Sequence, residues 1–506
     1  MKIVIDGKKI SLNDIVEAKS VKLSNTNEFQ SKINAAHDFL VNEIKDGKPI
    51  YGVTTGYGES GKNYLLFEES KILQTNLFRF HGCGVGRNLD EDEAYYMTLI
   101  RMISLSKGYS GISFNLLKRL ELLLNERIIP IVPEQGSVGA SGDLTPLSYL
   151  AAVIAGEREV YYKSEIRKTI EVYNELNIEP YELQPKETLA IMNGTATMSA
   201  IAANSIKRFE IFMHAYSSFI AGIFELLQAD DTPLQPLVHD VKPFAGQIAI
   251  AKEILEKLEG TELTHSREER YNDFFNNETL NIQDRYSIRC TPQVLGVVLD
   301  NISISKNWVE TEINAVNDNP VIDGENKKIY TTGNFYGGYV AHAMDTLRIS
   351  VANVADLLDK QFAILVDHKY NRGLGENLKL SNKNYFHGFK AMQITLSSLS
   401  ADVMMNIMPA SVFSRPTESM NQDKVSMGTT AAIHFKNQLP NLEIMLAIAM
   451  MGLAQAVDIR KKKGISPHLR KIYETIREEV DPLIEDRRMD TDIEKITRLI
   501  RSESLS

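Results

Sequence analysis

The sequence predicts a mainly α-helical fold: an N-terminal loop-bearing region with minor β structure, then a long central helical bundle. Three observations carry this expectation. Long stretches repeat apolar residues at helical spacing, with few glycines or prolines to break them. In the later stretches apolar residues occupy more than one face, which requires burial inside a bundle or between subunits. Strand signal is confined to a few short runs.

Taken in order, residues 3–10 read as a short hairpin with Asp6-Gly7 at its turn. Residues 91–105, 114–124 and 195–227 have the helical period, as do 343–366 and 442–460. Residues 160–162 and 322–330 are the other β candidates. From Ser466 onward both charge signs are dense, which predicts a solvated pair of helices. A boundary is placed near residue 195, separating an N-terminal domain (1–195) from the bundle and its charged C-terminal helices (196–506). Neither a solenoid repeat nor a low-complexity linker is present.

Composition excludes several classes. A chain of 506 residues, 43% apolar and 24% charged, has ample core for a soluble globular protein. A net charge of −10 disfavours nucleic acid as a partner. Cys83 and Cys290 have no metal-type neighbours and cannot form a disulfide framework, so no metal is expected and a cytoplasmic setting is. The most apolar run, residues 444–453, is roughly half the ~18–20 residues of a membrane span and reads as part of a buried helix. The cluster His81-Gly-Cys-Gly-Val-Gly86 lacks the strand, lysine and βαβ context of a phosphate loop.

The chemistry centres on Gly136-Ser-Val-Gly-Ala-Ser-Gly-Asp-Leu-Thr-Pro-Leu-Ser148. Within it, Gly142 has no Cβ, so its nitrogen can approach the Ala140 carbonyl carbon through a bend closed to other residues. Ring closure with loss of two waters, one from the Ser141 hydroxyl, would leave a methylidene conjugated to an imidazolone. Asp143 is placed to move those protons. Taken alone, Ala-Ser-Gly-Asp is a turn capping a helix.

The whole block resembles the prosthetic-group loop of the aromatic amino acid ammonia-lyases, which include the histidine, phenylalanine and tyrosine enzymes. The resemblance extends from residue 51 to about 460 and implies a fumarase/aspartase-like fold. It also implies a homotetramer whose active sites draw on several subunits, and a 4-methylidene-imidazol-5-one made from Ala140, Ser141 and Gly142. In Tyr51-Gly-Val-Thr-Thr-Gly-Tyr-Gly58 the leading tyrosine matches the family's β-proton base. A tyrosine ionises near ~10, so that role needs a stabilised phenolate. In Gln283-Asp-Arg-Tyr-Ser-Ile-Arg289 the family pattern selects Arg289, over the nearby Arg285, as carboxylate anchor. It assigns Tyr286 and Gln283 to the surroundings of the prosthetic group. Asn193, in Asn193-Gly-Thr-Ala196, matches an asparagine that touches that group and substrate; Phe335, in Gly333-Asn-Phe335, matches one packed beside the ring. Asn317-Asp-Asn-Pro320 also matches and reads as scaffold.

Three positions bear on substrate. His81 stands where histidine and some tyrosine enzymes carry histidine, and its neighbour Phe80 is the type used by phenylalanine enzymes. Gln422 stands where histidine enzymes carry a glutamate able to pair with imidazole. Ala196 replaces the glutamine common in histidine enzymes. A neutral amide beside an apolar ring avoids the desolvation of a carboxylate. The expected order is tyrosine, then phenylalanine, then histidine. Elimination to coumarate or cinnamate with ammonium is the leading reading; a 2,3-aminomutase shares every motif.

Overall fold

The computed structural model describes residues 1–506 except 266, 267, 272–281 and 382. It is mainly helical, with small two- and three-stranded sheets. The chain divides into two compact units: Met1–Ser205 with Ser305–Asp345 and Pro409–Lys436, and Ile206–Ile304 with Thr346–Met408 and Asn437–Ser506. The first unit contains all of residues 1–195 and takes in two later segments. The helices Ala196–Leu226, Thr291–Ile313, Gly338–Val366 and Gly428–Ile459 contribute residues to both units.

In the first unit the N-terminus departs from expectation. Lys2–Ile5 is a strand, but it pairs in parallel with Ser20–Leu23, with Ile3 opposite Val21. A hairpin at Asp6-Gly7 would need residues 8–10 to fold back. Instead the Asp6 carboxylate accepts from Lys8 N–H at 3.0 Å, and the Asn314 side chain takes Ile10 N–H at 2.9 Å. Ser11 and Asp14 then form a capping box that starts helix Leu12–Val16. With Ile10 N–H taken by Asn314 and the helix starting directly after Ser11, the chain does not fold back at residues 8–10, and the connection to Ser20–Leu23 becomes a crossover.

The helix Glu91–Leu105 buries every residue from Glu93 to Leu105, including Arg101. The helix Asn27–Lys45 brings Ala36 and Leu40 against Ile50, Val53 and Ile322, and this cluster anchors the segment that carries Tyr51. The expected strands appear as Glu159–Tyr162, within a three-stranded sheet, and as the hairpin Val321–Asp323 with Lys328–Tyr330.

In the second unit the helix face of Phe209, Phe212, Tyr216 and Phe219 is a run of neighbouring rings, with Phe212 and Tyr216 centred 5.8 Å apart. The Tyr216 hydroxyl donates to Gln361 Oε1 at 2.7 Å, and Gln361 Nε2 donates to the Ser287 carbonyl at 2.9 Å. The charged tail forms Pro467–Glu479 and Asp490–Arg501, each amphipathic, with Leu469, Ile472, Ile496 and Ile500 buried. Residues 444–453 lie in helix Gly428–Ile459, whose most apolar window is 83% buried, as a core helix is.

Candidate active site

The Gly136–Ser148 block ends in helix Leu144–Ile154, and the tripeptide sits just before it. Gly142 has φ +73° and forms a parallel bridge with Gly194, and Asp143 N–H donates to the Gly194 carbonyl at 2.7 Å. A Cβ on Gly142 would overlap the Gly194 peptide, so only glycine allows this approach. Asn193 Nδ2 donates to the Ser141 carbonyl at 2.8 Å, while Asn193 Oδ1 accepts from Asn319 N–H at 2.7 Å, fixing the amide's orientation. Gln422 Nε2 donates to Ser141 Oγ at 3.2 Å. Upstream, Ser426 Oγ donates to the Gly139 carbonyl at 3.1 Å. The curled tripeptide, clamped at carbonyl and hydroxyl in a cradle that a Cβ would fill, fits the ring it is expected to form.

Asp143 is fully buried. It accepts from Ser137 Oγ at 3.1 Å, from Met198 N–H at 2.9 Å and from Thr429 Oγ1. Burial pushes its carboxyl up to about 6, against the lowering effect of those bonds. A group poised there can hold or release a proton near neutral pH.

Tyr51 projects from the anchored Ile50 and Val53. Around it Thr54 Oγ1 accepts from Ile50 N–H at 2.8 Å and donates to the Lys48 carbonyl at 2.8 Å; Thr55 Oγ1 accepts from Gly52 N–H at 3.1 Å. These bonds explain the Val-Thr-Thr-Gly wording, because each threonine ties the turn to its own backbone. The Tyr51 oxygen accepts from Gly58 N–H at 2.8 Å. Tyr57, in the same segment, has a buried hydroxyl and is pushed well above the usual phenol range by that burial. Of these two phenols, Tyr51 is the one an incoming group can reach, being 37% exposed.

His81 stacks on Phe80 with ring centroids 4.6 Å apart, and its Nδ1 lies 3.4 Å from Thr145 Oγ1. Burial pushes it down to about 4, so the ring is neutral at physiological pH. Gln422 pairs across a turn with Thr417, whose Oγ1 donates to Gln422 Oε1 at 2.7 Å. The turn between them holds Glu418, Ser419 and Met420 at φ +51°, +52° and +68°. Three successive non-glycine residues in the left-handed region are costly and persist only when the surroundings impose them. Glu418 has such a bond: its Oε1 accepts from Glu59 N–H at 3.0 Å, which clasps the Tyr51 segment. Phe335 is half-buried in the turn before helix Gly338–Val366.

Gln283, Tyr286 and Arg289 belong to the second unit. Tyr286–Arg289 is a single helical turn, held through the Ser287 carbonyl by Gln361. The Arg289 guanidinium lies over the Tyr286 ring at 4.7 Å, and its buried Nε has no hydrogen-bond partner among the described residues. Arg285 stacks on Tyr370 at 3.9 Å instead, so the two arginines are distinct in environment.

The first unit thus brings Tyr51, Phe80, His81, the tripeptide, Asn193, Phe335 and Gln422 into one compact body. Sequence reading missed Arg101, Gly194, Glu418 and Thr429. The signal for Arg101 was present: a lone arginine within the apolar run Met97-Thr-Leu-Ile-Arg-Met-Ile103.

A family model for aromatic amino acid lyases matches residues 10–478. The chain belongs to the aromatic amino acid lyase family. Histidine ammonia-lyase of Caldanaerobacter subterraneus subsp. tengcongensis is 33% identical over 506 residues, covering 99% of this chain and 97% of that protein. The solved tyrosine aminomutase of Streptomyces globisporus superposes with TM-score 0.95 at 31% identity, covering 100% and 98% of the two chains. Pantoea agglomerans phenylalanine aminomutase gives the same TM-score and identity, with full coverage of both chains. Membership makes the chain an enzyme of the carbon–nitrogen lyase class, with the all-helical fold of that family.

Proposed function

We propose that the chain is an ammonia-lyase for an aromatic L-amino acid, tyrosine ahead of phenylalanine, releasing ammonium and coumarate or cinnamate. The observation that carries the substrate reading is the Gln422 amide, whose oxygen is taken by Thr417 and whose nitrogen is aimed at the Ser141 side chain. A neutral amide so engaged leaves an imidazole side chain without the carboxylate that histidine enzymes use at this place. The neutral His81 suits a phenol, which can both donate and accept.

The prosthetic group formed from Ala140, Ser141 and Gly142 supplies, once made, the electrophile that activates the substrate for loss of ammonia. Asn193 would hold it through the Ser141 carbonyl, which the ring keeps, while Gln422 holds the Ser141 hydroxyl before that hydroxyl is lost. Tyr51 removes the β-proton; the Gly58 N–H donates to its oxygen and fixes the direction in which it points. Arg289 holds the substrate carboxylate by two parallel bonds, its guanidinium pre-set on Tyr286. Phe80 and Phe335 line the aromatic side chain, and Gln283 borders the group. The assembly is a homotetramer with shared active sites, a reading supported by Tyr286, Met405 and Met408 being 73%, 80% and 62% exposed.

Two other readings have specific support. Histidine ammonia-lyase is favoured by the curated relative, and an aminomutase by the solved neighbours and by the Glu418 clasp on the Tyr51 segment. Parallel incubation with L-tyrosine, L-phenylalanine and L-histidine, read in the near ultraviolet and by chromatography of amino acids, separates them. Coumarate with free ammonium is the expected result. Efficient urocanate formation overturns the substrate order, and accumulation of β-tyrosine overturns the lyase reading.

A further inference from the structure

Behind the tripeptide lies a second layer that no catalytic role absorbs. A Cβ built on Gly142 overlaps the Gly194 carbonyl; one built on Gly194 overlaps Arg101 Nη1 and comes within 3.0 Å of Asn317 Oδ1. Guanidinium, Gly194 peptide and Gly142 are therefore stacked with no side chain between them. We propose that Arg101, acting through Gly194, is the positioning residue that holds the tripeptide in its ring-closing geometry. The inference rests on the reading that Ala140, Ser141 and Gly142 cyclise.

The plate is fixed from both sides. Arg101 Nε donates to the Ala190 carbonyl at 2.8 Å, Nη1 donates to Asn317 Oδ1 at 2.8 Å, and Nη2 also reaches Ala190. Asn317 in turn accepts from Ser104 Oγ at 3.1 Å and donates to Thr195 Oγ1 at 2.9 Å, and Thr195 donates to Glu312 at 2.6 Å. In front, Gly194 receives Asp143 N–H and its neighbour Asn193 grips the Ser141 carbonyl. The segment 193–195 thus grips the C-terminal half of the tripeptide and cannot retreat, because Arg101 stands behind it.

Stability alone does not explain this arginine. It has no exposure, and among the described residues its hydrogen bonds go to the neutral oxygens of Ala190 and Asn317. Of the buried carboxylates nearby, Asp318 is paired with Lys186 at 2.5 Å and Asp143 with Ser137, Met198 and Thr429. Taking a guanidinium out of water costs several kcal/mol that neutral hydrogen-bond partners offset only in part, so a buried charge is weak evidence of a stabilising role. Its retention fits a task in which rigidity matters. Ring closure forms a bond from Gly142 N to the Ala140 carbonyl carbon. The Ala140 oxygen departs as water with the amide hydrogens of Gly142 and Ser141. The Ser141 hydroxyl departs with that residue's α-hydrogen, and no oxidant is needed. Such a step depends steeply on a near-attack arrangement.

The test is intact mass of the folded full-length protein at intervals after synthesis, for wild type, Arg101→Met, Gly194→Ala and the control Leu99→Ala. Leu99 is buried in the same helix but is outside the stack. The wild type is expected to be lighter by two waters. Arg101→Met and Gly194→Ala are expected to reach that mass about tenfold more slowly or not at all. Leu99→Ala is expected to melt lower yet dehydrate at the wild-type rate. A folded Arg101→Met that dehydrates like wild type overturns the proposal, as does a Leu99→Ala slowed to the same extent. If Arg101→Met does not fold, full dehydration of Gly194→Ala overturns it instead. A wild type at undehydrated mass overturns the cyclisation reading itself, whatever the variants do.

Discussion

The tripeptide region and the turn that carries Arg289 are built on opposite principles. Around Ser141 the chain is held at several points: the Ser141 carbonyl by Asn193, its hydroxyl by Gln422, the Asp143 amide by Gly194, and the Asp143 carboxylate by Ser137, Met198 and Thr429. Tyr286–Arg289 is one helical turn tied from behind through Gln361, with Tyr286 exposed and Arg289 Nε without a hydrogen-bond partner among the described residues. The reacting centre must be rigid before substrate arrives, because misplacement there acts directly on the barrier. A carboxylate anchor must keep donors free, because those donors are what the substrate will use.

The largest expected effect comes from breaking the open side. Arg289→Lys replaces a planar fork by a point charge, and kcat/KM is expected to fall about 100-fold, mostly through KM. Arg285→Lys, made in parallel, is expected to change it by less than about threefold, because Arg285 is committed to Tyr370. Steady-state kinetics on the preferred substrate decide this pair, and equal losses would erase the distinction between the two arginines.

Next in size is Gln422→Glu on the closed side. A carboxylate there loses the donor to Ser141 and faces an apolar or phenolic ring. Turnover of tyrosine and phenylalanine is expected to drop about 10- to 100-fold while histidine turnover rises. Unchanged selectivity would show that Gln422 serves the Ser141 clamp alone. Glu418→Ala releases the clasp on Glu59 N–H, with an expected loss of about threefold in kcat and dehydrated mass unchanged; an unaltered kcat would show that the clasp does not serve turnover.

The smallest effect is in pH dependence. His81 is lowered from 6.5 to about 4 by desolvation, so between these values the unfolded chain binds the proton and the native one does not. The stability tied to the neutral ring is therefore complete above 6.5 and is lost as pH falls through about 4. The kcat/KM profile is expected to lack a His81 limb near 6.5. His81→Gln should leave the profile's shape unchanged from pH 6 to 8, and a shifted acidic limb in that range would contradict a neutral ring.

Much of this was legible in the sequence, for identifiable reasons. Helical periodicity located residues 91–105, 195–227 and 343–366, because burial on several faces leaves few polar residues to interrupt it. The Gly136–Ser148 block was legible as a family motif because its residues are contiguous in the chain. Asp6-Gly7 misled, because a turn dipeptide cannot report that Asn314 takes the amide of Ile10 and that Ser11 starts a helix. Glu418 carried no signal at all, since its partner lies on a segment more than three hundred residues earlier in the chain.

By itself, then, the sequence determined the helical class and the family, both properties of local pattern and residue type. Only the tertiary structure decided which arginine stacks on Tyr370 and which on Tyr286, what Gln422 holds, and what stands behind Gly194. Those are contacts between segments far apart in the chain. Their physical basis is close packing: two glycines and a buried guanidinium can touch only where the fold leaves no room for a Cβ.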